Sequence, residues 1–309
     1  MNLLLSSNNA YLSPMKTMLT SFCETNRGEN HQIYFLYGNV DENALASIGC
    51  FFEKHYDIKF NSIRIDESAF KQFPVSHHFS IETYYRFLAT EILPLEEDRV
   101  LWLDVDIIVK KSLYEFYYQS FDGKMLATCK SINKHPEVLL DRLGCPDGTV
   151  YFNAGVILFN LELIRKTYTV GDFFSYFASH KENITWLDQD ILNGMFAQQT
   201  KINEYRLYNY QMFSEDSFSK SELAFIYSNT AIIHYVGQKK PWHSGYRNPC
   251  IIFWRQYNAV YEKKNNYISY YPRLFFKQMF RLKDLARVSL CKLRSLWIES
   301  HRNKTKKEY

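Results

Sequence analysis

The sequence predicts an α/β fold with a largely parallel sheet. Segments typical of strands and segments typical of helices alternate along most of the chain, which is the order expected when helices connect parallel strands. Hydrophobic residues make up 46% of the 309 residues, enough for a sizeable core. Only 11 glycines and 8 prolines are present, which argues against long disordered stretches. A chain of this length suits one large domain or two small ones.

The first part of the chain contains three predicted strand–helix pairs. The strands, each an apolar run, are predicted at 2–7, 32–38 and 58–65. The helices, which carry apolar residues at helical spacing, are predicted at 10–25, 44–56 and 80–93. We expect the third helix to open with a polar cap from Ser80 to Thr83 and to end near Pro94.

Two aspartates interrupt the next apolar run, RVLWLDVDIIV (Arg99–Val109), which predicts a buried strand. Burying an unpaired carboxylate is costly, so Asp104 and Asp106 need a compensating partner. Residues two apart on a strand point to one side, and ligands of α/β sheets bind beyond the carboxyl ends of strands. A shared Mg²⁺ or Mn²⁺ that also holds a diphosphate would satisfy both. Alternatively, one aspartate starts a turn and the other caps a helix.

A third candidate metal ligand stands in AIIHYVGQKKPWH, whose apolar start predicts a strand at 231–237. His234 is either that ligand or a histidine satisfied within the core. Gly237 would let the backbone approach a phosphate, and Lys240 would neutralise its charge. These residues predict a diphosphate clamp, although Lys240 by itself is equally typical of a solvated surface.

The predicted strand 149–160 contains polar and small residues where a buried strand should be apolar throughout. Asn153 offers both a donor and an acceptor, and its neighbours Ala154 and Gly155 are small enough to let a ligand come close. The alternative is a turn in which asparagine and glycine supply unusual dihedral angles. Helical spacing follows at 161–178.

A second polar group opens the predicted helix 188–198. Asp188, Gln189 and Asp190 stand in a row, and Asp188 taken alone is typical of an N-cap. Arg86, within the predicted helix 80–93, is on the same basis one exposed charge among many.

Four motifs in order give the chain a resemblance to glycosyltransferase family 8, which includes bacterial lipopolysaccharide galactosyl- and glucosyltransferases and glycogenin. They are D-x-D after an apolar strand, N-A-G-x-x-L-x-N, L-D-Q-D-I-L-N and H-Y-x-G-x-x-K-P-W, and the match runs from Met1 to about His243. The resemblance implies a GT-A fold, an α/β/α sandwich around a mixed, largely parallel sheet. It also implies a retaining hexosyltransferase that uses a UDP-sugar and Mn²⁺, with Mg²⁺ as the alternative.

Site residues follow from the resemblance position by position. Asp104, Asp106 and His234 match the metal ligands. Donor contacts are implied for Ser6, Asn8, Tyr11, Arg86, Asp104, Val105, Asp106, Asn153, Ala154, Gly155, Asp188, Gln189, His234, Gly237 and Lys240. Tyr11 matches an aromatic residue that stacks on uracil. The segment before it, SSNNAY, departs from the family's acidic pattern, so Asn8 would meet the uracil edge with different donors and acceptors.

Gln189 and Asp188 are the implied catalytic residues. Retention of configuration requires either a double displacement or a front-side attack. An amide is a poor nucleophile and a carboxylate a better one. We favour front-side attack, with Gln189 steadying the positive sugar and Asp188 holding its hydroxyls, and the double displacement stays open.

Charge separates a body from a tail. Residues 273–309 contain eleven Lys/Arg and three Asp/Glu, a balance of +8 in a chain of net charge +4, so residues 1–272 carry −4. We predict a catalytic domain at 1–264 and a basic, aromatic helical extension at 265–309. Its apolar and basic residues at helical spacing fit an anionic membrane surface, or packing on the body or a second subunit, which leaves the oligomeric state open.

The remaining expectations concern partners and location. The acceptor is expected to be a glycan, lipid-linked or protein-linked, bound by loops at 67–80 and 205–228. The acidic body argues against nucleic acid. Six scattered cysteines without a CxxC pair, together with the lack of a signal peptide or membrane span, favour the cytoplasm, with peripheral attachment at the inner face of the membrane through the tail.

Two other functions compete with glycosyl transfer. A catalytically weak nucleotide-sugar-binding homologue would keep the fold, but usually loses the aspartates or the histidine, and all three are present. A metal-dependent phosphoryl-transfer enzyme would need a further carboxylate cluster or a Walker-type glycine loop, and the sequence has neither motif.

Overall fold

The computed structural model describes residues 1–75, 80–133 and 135–264. The chain divides into two compact units, Met1–Ile251 and a second that begins at Ile252. Of the second unit, the described part is helical up to Lys264. The predicted extension at 265–309, with its membrane or packing role, lies outside the described residues, and the proposed domain boundary stays a prediction.

Strands and helices alternate as expected. The strands of the described residues are β1 Asn2–Ser6, β2 His31–Tyr37, β3 Ile58–Arg64, β4 Arg99–Leu103, β5 Ile107–Val109, β6 Leu126–Lys130, β7 Phe152–Asn160, β8 Thr200–Asn203, β9 Tyr210–Met212 and β10 Ile232–Tyr235. The α-helices are α1 Leu12–Thr25, α2 Glu42–His55, α3 Ala89–Ile92, α4 Tyr114–Tyr117, α5 Pro136–Arg142, α6 Leu161–Thr167, α7 Val170–His180, α8 Leu187–Phe196, α9 Tyr205–Tyr208, α10 Lys220–Ser228 and α11 Ile251–Lys264. Short 3₁₀ helices occupy Asn9–Tyr11, Glu67–Phe70, Ile81–Leu88, Lys181–Asn183 and Ala197–Gln199.

The main sheet has seven strands in the order β3-β2-β1-β4-β7-β6-β8 within the described residues. Strands β3, β2, β1 and β4 run parallel, whereas β7 is antiparallel to both of its neighbours. The prediction of a mixed, largely parallel sheet with flanking helices is confirmed. Strand β1 is an inner strand of this sheet, between β2 and β4, and its buried run Leu3–Leu5 explains the leucine-rich start of the sequence.

A smaller sheet in the order β5-β10-β9 lies next to the first. The predicted single strand at 101–109 is therefore wrong: β4 belongs to the large sheet and β5 to the small one. The backbone amide of Asp104 still bonds the Gly155 carbonyl on β7 at 2.9 Å, but the Asp106 carbonyl already accepts from the amide of Tyr235 on β10 at 3.0 Å. The chain changes partner between the two aspartates, so both lie in a turn.

The predicted helix at 80–93 is mostly a 3₁₀ helix, Ile81–Leu88, followed by the single α-helical turn of α3. Ser80 makes no side-chain cap, so the predicted cap is also wrong. In a 3₁₀ helix, side chains three residues apart eclipse each other. Thr83 and Arg86 consequently share one face, and Arg86 Nε donates to the Thr83 carbonyl at 3.0 Å.

Hydrophobic packing holds the helices on the main sheet. Helix α1 buries most of its length, including Met15, Leu19 and Phe22, none of which has measurable exposure. On another part of the core, the aromatic residues Trp102 and Tyr84 pack with side chains from α7 and α8. Within the described residues no helix is both long and apolar enough to cross a bilayer.

Candidate active site

The turn that joins β4 to β5 places Asp104 directly after the end of β4 and Asp106 directly before the start of β5. His234, on β10, faces them. Its Nε2 lies 3.2 Å from Asp106 Oδ1 and 3.8 Å from Asp104 Oδ2, and one ligand atom from each residue falls within 4.8 Å of the others. The two aspartates and His234, which is distant from them in sequence, are therefore gathered into one group.

This group has the features of a site for a divalent cation. Asp106 Oδ1 is buried and accepts no hydrogen bond from any described residue, which is unusual for a carboxylate oxygen without a further partner. A Cβ on Gly155 would lie 2.2 Å from His234 Cε1 and 2.9 Å from Asp104 Oδ2, so only glycine leaves room for these two side chains. Two carboxylates and an imidazole form a donor set that suits a divalent cation.

Lys240 is buried beside the group instead of standing in solvent. Its ammonium donates to Asp106 Oδ2 and, at 2.8 Å, to the Tyr235 carbonyl. Burial by itself would raise the pKa of Asp106, but the positive charge of Lys240 and the contact with His234 outweigh it and hold that pKa below its usual range. Asp106 is accordingly ionised at neutral pH, ready to act as a ligand.

Arg86 joins the aspartate turn to helix α8. It is only 3% exposed, which overturns the alternative of an exposed helix charge. Its Nη2 donates to Asp104 Oδ1 at 3.1 Å, and its Nε lies 3.2 Å from Asp188 Oδ2. The Trp102 indole, which itself donates to Asp104 Oδ1 at 2.8 Å, lies beneath the guanidinium. A single arginine thus fixes carboxylates from two separate segments.

Asp188 is a buried acid at the start of α8. Its Oδ1 accepts from the Thr83 hydroxyl at 2.5 Å. Burial raises the pKa of Asp188 to about 6, an effect that the Arg86 charge only partly offsets. The residue before it, Leu187, has φ of +51°, a strained conformation for a side chain of this type. Asp188 is not the N-cap, a position that Trp186 holds.

Gln189 is held by hydrogen bonds at both ends of its amide. Oε1 accepts from Asn153 Nδ2 at 3.1 Å and from the Ala154 amide at 3.0 Å, while Nε2 donates to the Tyr151 hydroxyl at 3.0 Å. That hydroxyl donates in turn to Asp190 Oδ1 at 2.6 Å. Asn153 and Ala154 therefore lie within strand β7 and not in the alternative turn, and they position Gln189.

The residues predicted to contact the nucleotide lie on neighbouring loops. Tyr11 packs edge-to-face on Trp242, with 5.6 Å between ring centroids. Burial raises the pKa of the Tyr11 hydroxyl, and the charges of Asp106 and Asp104 raise it further, so this ring adjoins the metal group. Gly237 has φ of +82°, where a Cβ would also meet the Phe213 ring.

The other predicted donor residues show local contacts. The Ser6 hydroxyl donates to the Glu82 carbonyl at 2.7 Å, and Asn8 Nδ2 donates to the Ser80 hydroxyl at 3.3 Å. Val105 is buried in the turn between the aspartates. These contacts place the three side chains without testing their roles towards a nucleotide.

Several residues of the site were not predicted from the sequence as site residues. Thr83, Trp102, Tyr151 and Asn209 each contact a predicted site residue through a hydrogen bond. Trp102 and Tyr151 could have been suspected, because each lies within two residues of a motif and carries a polar atom that must be satisfied when buried. Asn209 follows no motif, and its partners come from other segments.

The architecture is that of the GT-A glycosyltransferases. The structure matches the crystal structure of the galactosyltransferase LgtC in complex with donor and acceptor sugar analogs, with a TM-score of 0.72 over 89% of this chain and 100% of that chain, at 22% sequence identity. The chain belongs to glycosyl transferase family 8, whose family model matches residues 2–245. It is accordingly a glycosyltransferase.

Two named relatives are similar to this chain in sequence. A lipopolysaccharide 1,2-glucosyltransferase of Escherichia coli (strain K12) is 24% identical over 249 residues, which cover 79% of this chain and 73% of the relative. A lipopolysaccharide 1,3-galactosyltransferase of Salmonella typhimurium is 28% identical over 198 residues, which cover 62% of this chain and 58% of the relative.

Proposed function

We propose that the protein is a retaining hexosyltransferase that moves galactose or glucose from a UDP-sugar to a glycan acceptor in bacterial surface polysaccharide or glycoprotein glycan synthesis. The observation that carries the proposal is the contact of two groups through Arg86. On one side of this arginine stands the Asp104, Asp106 and His234 group, and on the other stands Asp188. A diphosphate bound at the first group would direct the attached sugar ring towards Asp188.

Asp104, Asp106 and His234 would hold Mn²⁺, with Mg²⁺ as the alternative. When bound, the cation supplies positive charge that stabilises the negative charge developing on the departing UDP. Lys240, buried at Asp106, supports the same charge by direct contact with the diphosphate. Gly237 lets the backbone approach, because its left-handed conformation and the adjacent Phe213 ring leave no room for a side chain.

The residues around the sugar favour front-side attack over a double displacement. Asp188 Oδ1 accepts from the Thr83 hydroxyl, and Oδ2, which accepts no hydrogen bond from the described residues, lies 3.2 Å from Arg86 Nε. The positive charge of Arg86 lowers the nucleophilicity of this carboxylate. Gln189 Oε1 already accepts two hydrogen bonds. We assign Asp188 to the sugar hydroxyls and Gln189 to stabilising the positive charge that forms on the ring.

The identity of the hexose rests on the relatives, which are named as glucosyl- and galactosyltransferases of lipopolysaccharide. The uridine rests on Tyr11, whose ring packs against Trp242 next to the metal group and offers a face for stacking a base. A glycan on a lipid or protein carrier in the cytoplasm would be the matching acceptor, with the tail as membrane contact.

A panel of UDP-sugars incubated with the protein and Mn²⁺ tests the proposal without an acceptor. We expect slow hydrolysis of UDP-galactose or UDP-glucose, and no hydrolysis in EDTA. Binding of UDP–Mn²⁺ without hydrolysis of any sugar would indicate the catalytically weak homologue instead. A phosphoryl-transfer enzyme would release inorganic phosphate, and is disfavoured because Asp104, Asp106 and His234 form the one cluster of three metal-ligating side chains within the described part of the chain.

A further inference from the structure

Asn209, a residue outside every motif, contacts the imidazole nitrogen of His234 that faces away from the aspartates. Asn209 Oδ1 lies 3.0 Å from His234 Nδ1, on the side of the imidazole opposite the aspartates. Asn209 is fully buried at the C-terminal end of α9, where its backbone amide bonds the Tyr205 carbonyl at 2.9 Å. The backbone therefore fixes the position from which this side chain contacts the histidine.

The other end of the Asn209 amide continues into the sugar side of the site. Its Nδ2 donates to Asn153 Oδ1 at 2.8 Å, and Asn153 Nδ2 donates to Gln189 Oε1 at 3.1 Å. Gln189 then donates to Tyr151, which donates to Asp190. Every member of this chain donates in the same direction, from the metal group towards helix α8.

A backbone group determines that direction. The amide of Gly155 can only donate, and it donates to Asn153 Oδ1 at 3.0 Å. The atom of Asn153 at this point must therefore be the oxygen, and the atom of Asn209 facing it must be a donor nitrogen. Asn209 then presents its oxygen to His234, which requires a proton on Nδ1 and leaves the lone pair of Nε2 directed at Asp106.

We propose that Asn209 is a positioning residue that selects the metal-binding tautomer of His234 and, through the same amide, orients Asn153 and Gln189 towards the donor sugar. Histidine ligands of metals usually donate their second ring nitrogen to a carboxylate or carbonyl, and loss of that partner weakens metal binding. The inference rests on the proposed function, because it assumes a cation at His234 and a sugar at Gln189. The side-chain amide of Asn209 would thus orient both the metal ligand His234 and the sugar-side residue Gln189.

Two substitutions separate the two halves of this role. Asn209→Leu removes the acceptor and the donor, and should lower the affinity for Mn²⁺ in the presence of UDP by about 10- to 100-fold. Asn209→Asp keeps the acceptor for His234 but turns an acceptor towards Asn153. It should keep Mn²⁺ affinity within about 3-fold while hydrolysis of the UDP-sugar falls about 10-fold or more, as expected for one lost buried hydrogen bond.

Mn²⁺ affinity is measured by electron paramagnetic resonance of the free ion, apart from turnover. Asn26→Asp is the matched control, since Asn26 is also a buried asparagine and donates to the Phe22 carbonyl away from the site. This control should keep both Mn²⁺ affinity and hydrolysis. The proposal is overturned if Asn209→Leu binds Mn²⁺ as the wild type does, or if Asn209→Asp loses Mn²⁺ affinity as Asn209→Leu does.

Folding and function are kept apart in the result. If Asn209→Leu does not fold, Asn209→Asp decides alone: retained metal affinity with lost hydrolysis supports the role, and any other combination rejects it. If the wild type hydrolyses no UDP-sugar, the proposed function fails, while the effect of Asn209→Leu on Mn²⁺ affinity still decides the tautomer-selecting role.

Discussion

The guanidinium of Arg86 lies over the indole of Trp102, with 4.0 Å between Cζ and the ring centroid. This contact helps to hold the guanidinium within a buried site. Nη2 donates to Asp104, while Nε, which donates to the Thr83 carbonyl, lies within ion-pair distance of Asp188. A flexible ammonium has no comparable plane, so arginine and lysine are not interchangeable here.

Arg86→Lys should keep the positive charge but lose the planar guanidinium that reaches both Asp104 and Asp188. The lysine can reach one carboxylate at a time, so we expect hydrolysis of the UDP-sugar to fall about 10-fold or more, with a measurable loss of stability in denaturant unfolding. Arg27→Lys is the control, because Arg27 pairs with Glu24 at a surface where its side chain is 62% exposed. Equal activity of Arg86→Lys and the wild type would contradict the bridging role.

Hydrolysis of the UDP-sugar should depend on the ionisation of Asp188. Its pKa is raised to about 6 in the folded protein, so the rate should rise between pH 5 and 7 as the carboxylate forms, when compared at saturating Mn²⁺. Asp188→Asn should be slow and should lack this rise. A rise that persists in Asp188→Asn would assign it to another group.

The same raised pKa has a consequence for stability. The folded protein binds the Asp188 proton more tightly than the unfolded chain, so this group's contribution is full below about pH 4 and is lost as pH rises through about 6. The unfolding free energy of Asp188→Asn, relative to the wild type, should therefore increase from pH 4 to pH 7. Urea unfolding at the two pH values measures it, and a constant difference would show that Asp188 titrates normally.

Removing the cation or its ligand Asp106 should abolish hydrolysis. We expect full loss in EDTA, recovery with added Mn²⁺, and loss of most activity in Asp106→Ala. Because Asp106→Ala also removes the anion that pairs with Lys240, circular dichroism should verify that the variant remains folded. Turnover that continues in EDTA would refute a cation-dependent reaction.

Gly155→Ala should damage the metal group although it replaces none of the three ligands. The added methyl would lie 2.2 Å from His234 Cε1, so the imidazole must move. Mn²⁺ affinity in the presence of UDP should fall about 10-fold or more, comparable to loss of a supporting contact of a ligand. Gly171→Ala, within helix α7 and with nothing closer than 3.4 Å, should bind Mn²⁺ normally and gain up to about 1 kcal/mol in stability.

Sequence reasoning predicted the fold class and gathered the metal ligands, because long apolar runs and motif residues carry strong local signals. It treated 101–109 as one strand, since an apolar run gives no sign that its two halves pair with different sheets. It could not anticipate the burial of Arg86 or Lys240. Both charges are compensated by carboxylates distant in sequence, and only the folded chain brings them together.

The strands that were missed are short. Strands β6, β8 and β9 have three to five residues each and lie among polar positions, where a period of two cannot be recognised. Asn209, which immediately precedes β9, was missed for the same reason. The role of such a residue depends on its hydrogen-bond partners, and these become visible when the strands are assembled.

The change of sheet between Asp104 and Asp106 has a consequence for the stability of the protein as well as for its chemistry. Asp104 is tied by its backbone to β7 of the large sheet, whereas Asp106 and His234 belong to the small one. A cation held by all three links the two sheets at their shared edge, and unfolding must release it. The temperature of unfolding will then rise with the logarithm of the free cation concentration. In a cell poor in that metal, the protein would lose not only its rate but also part of its lifetime.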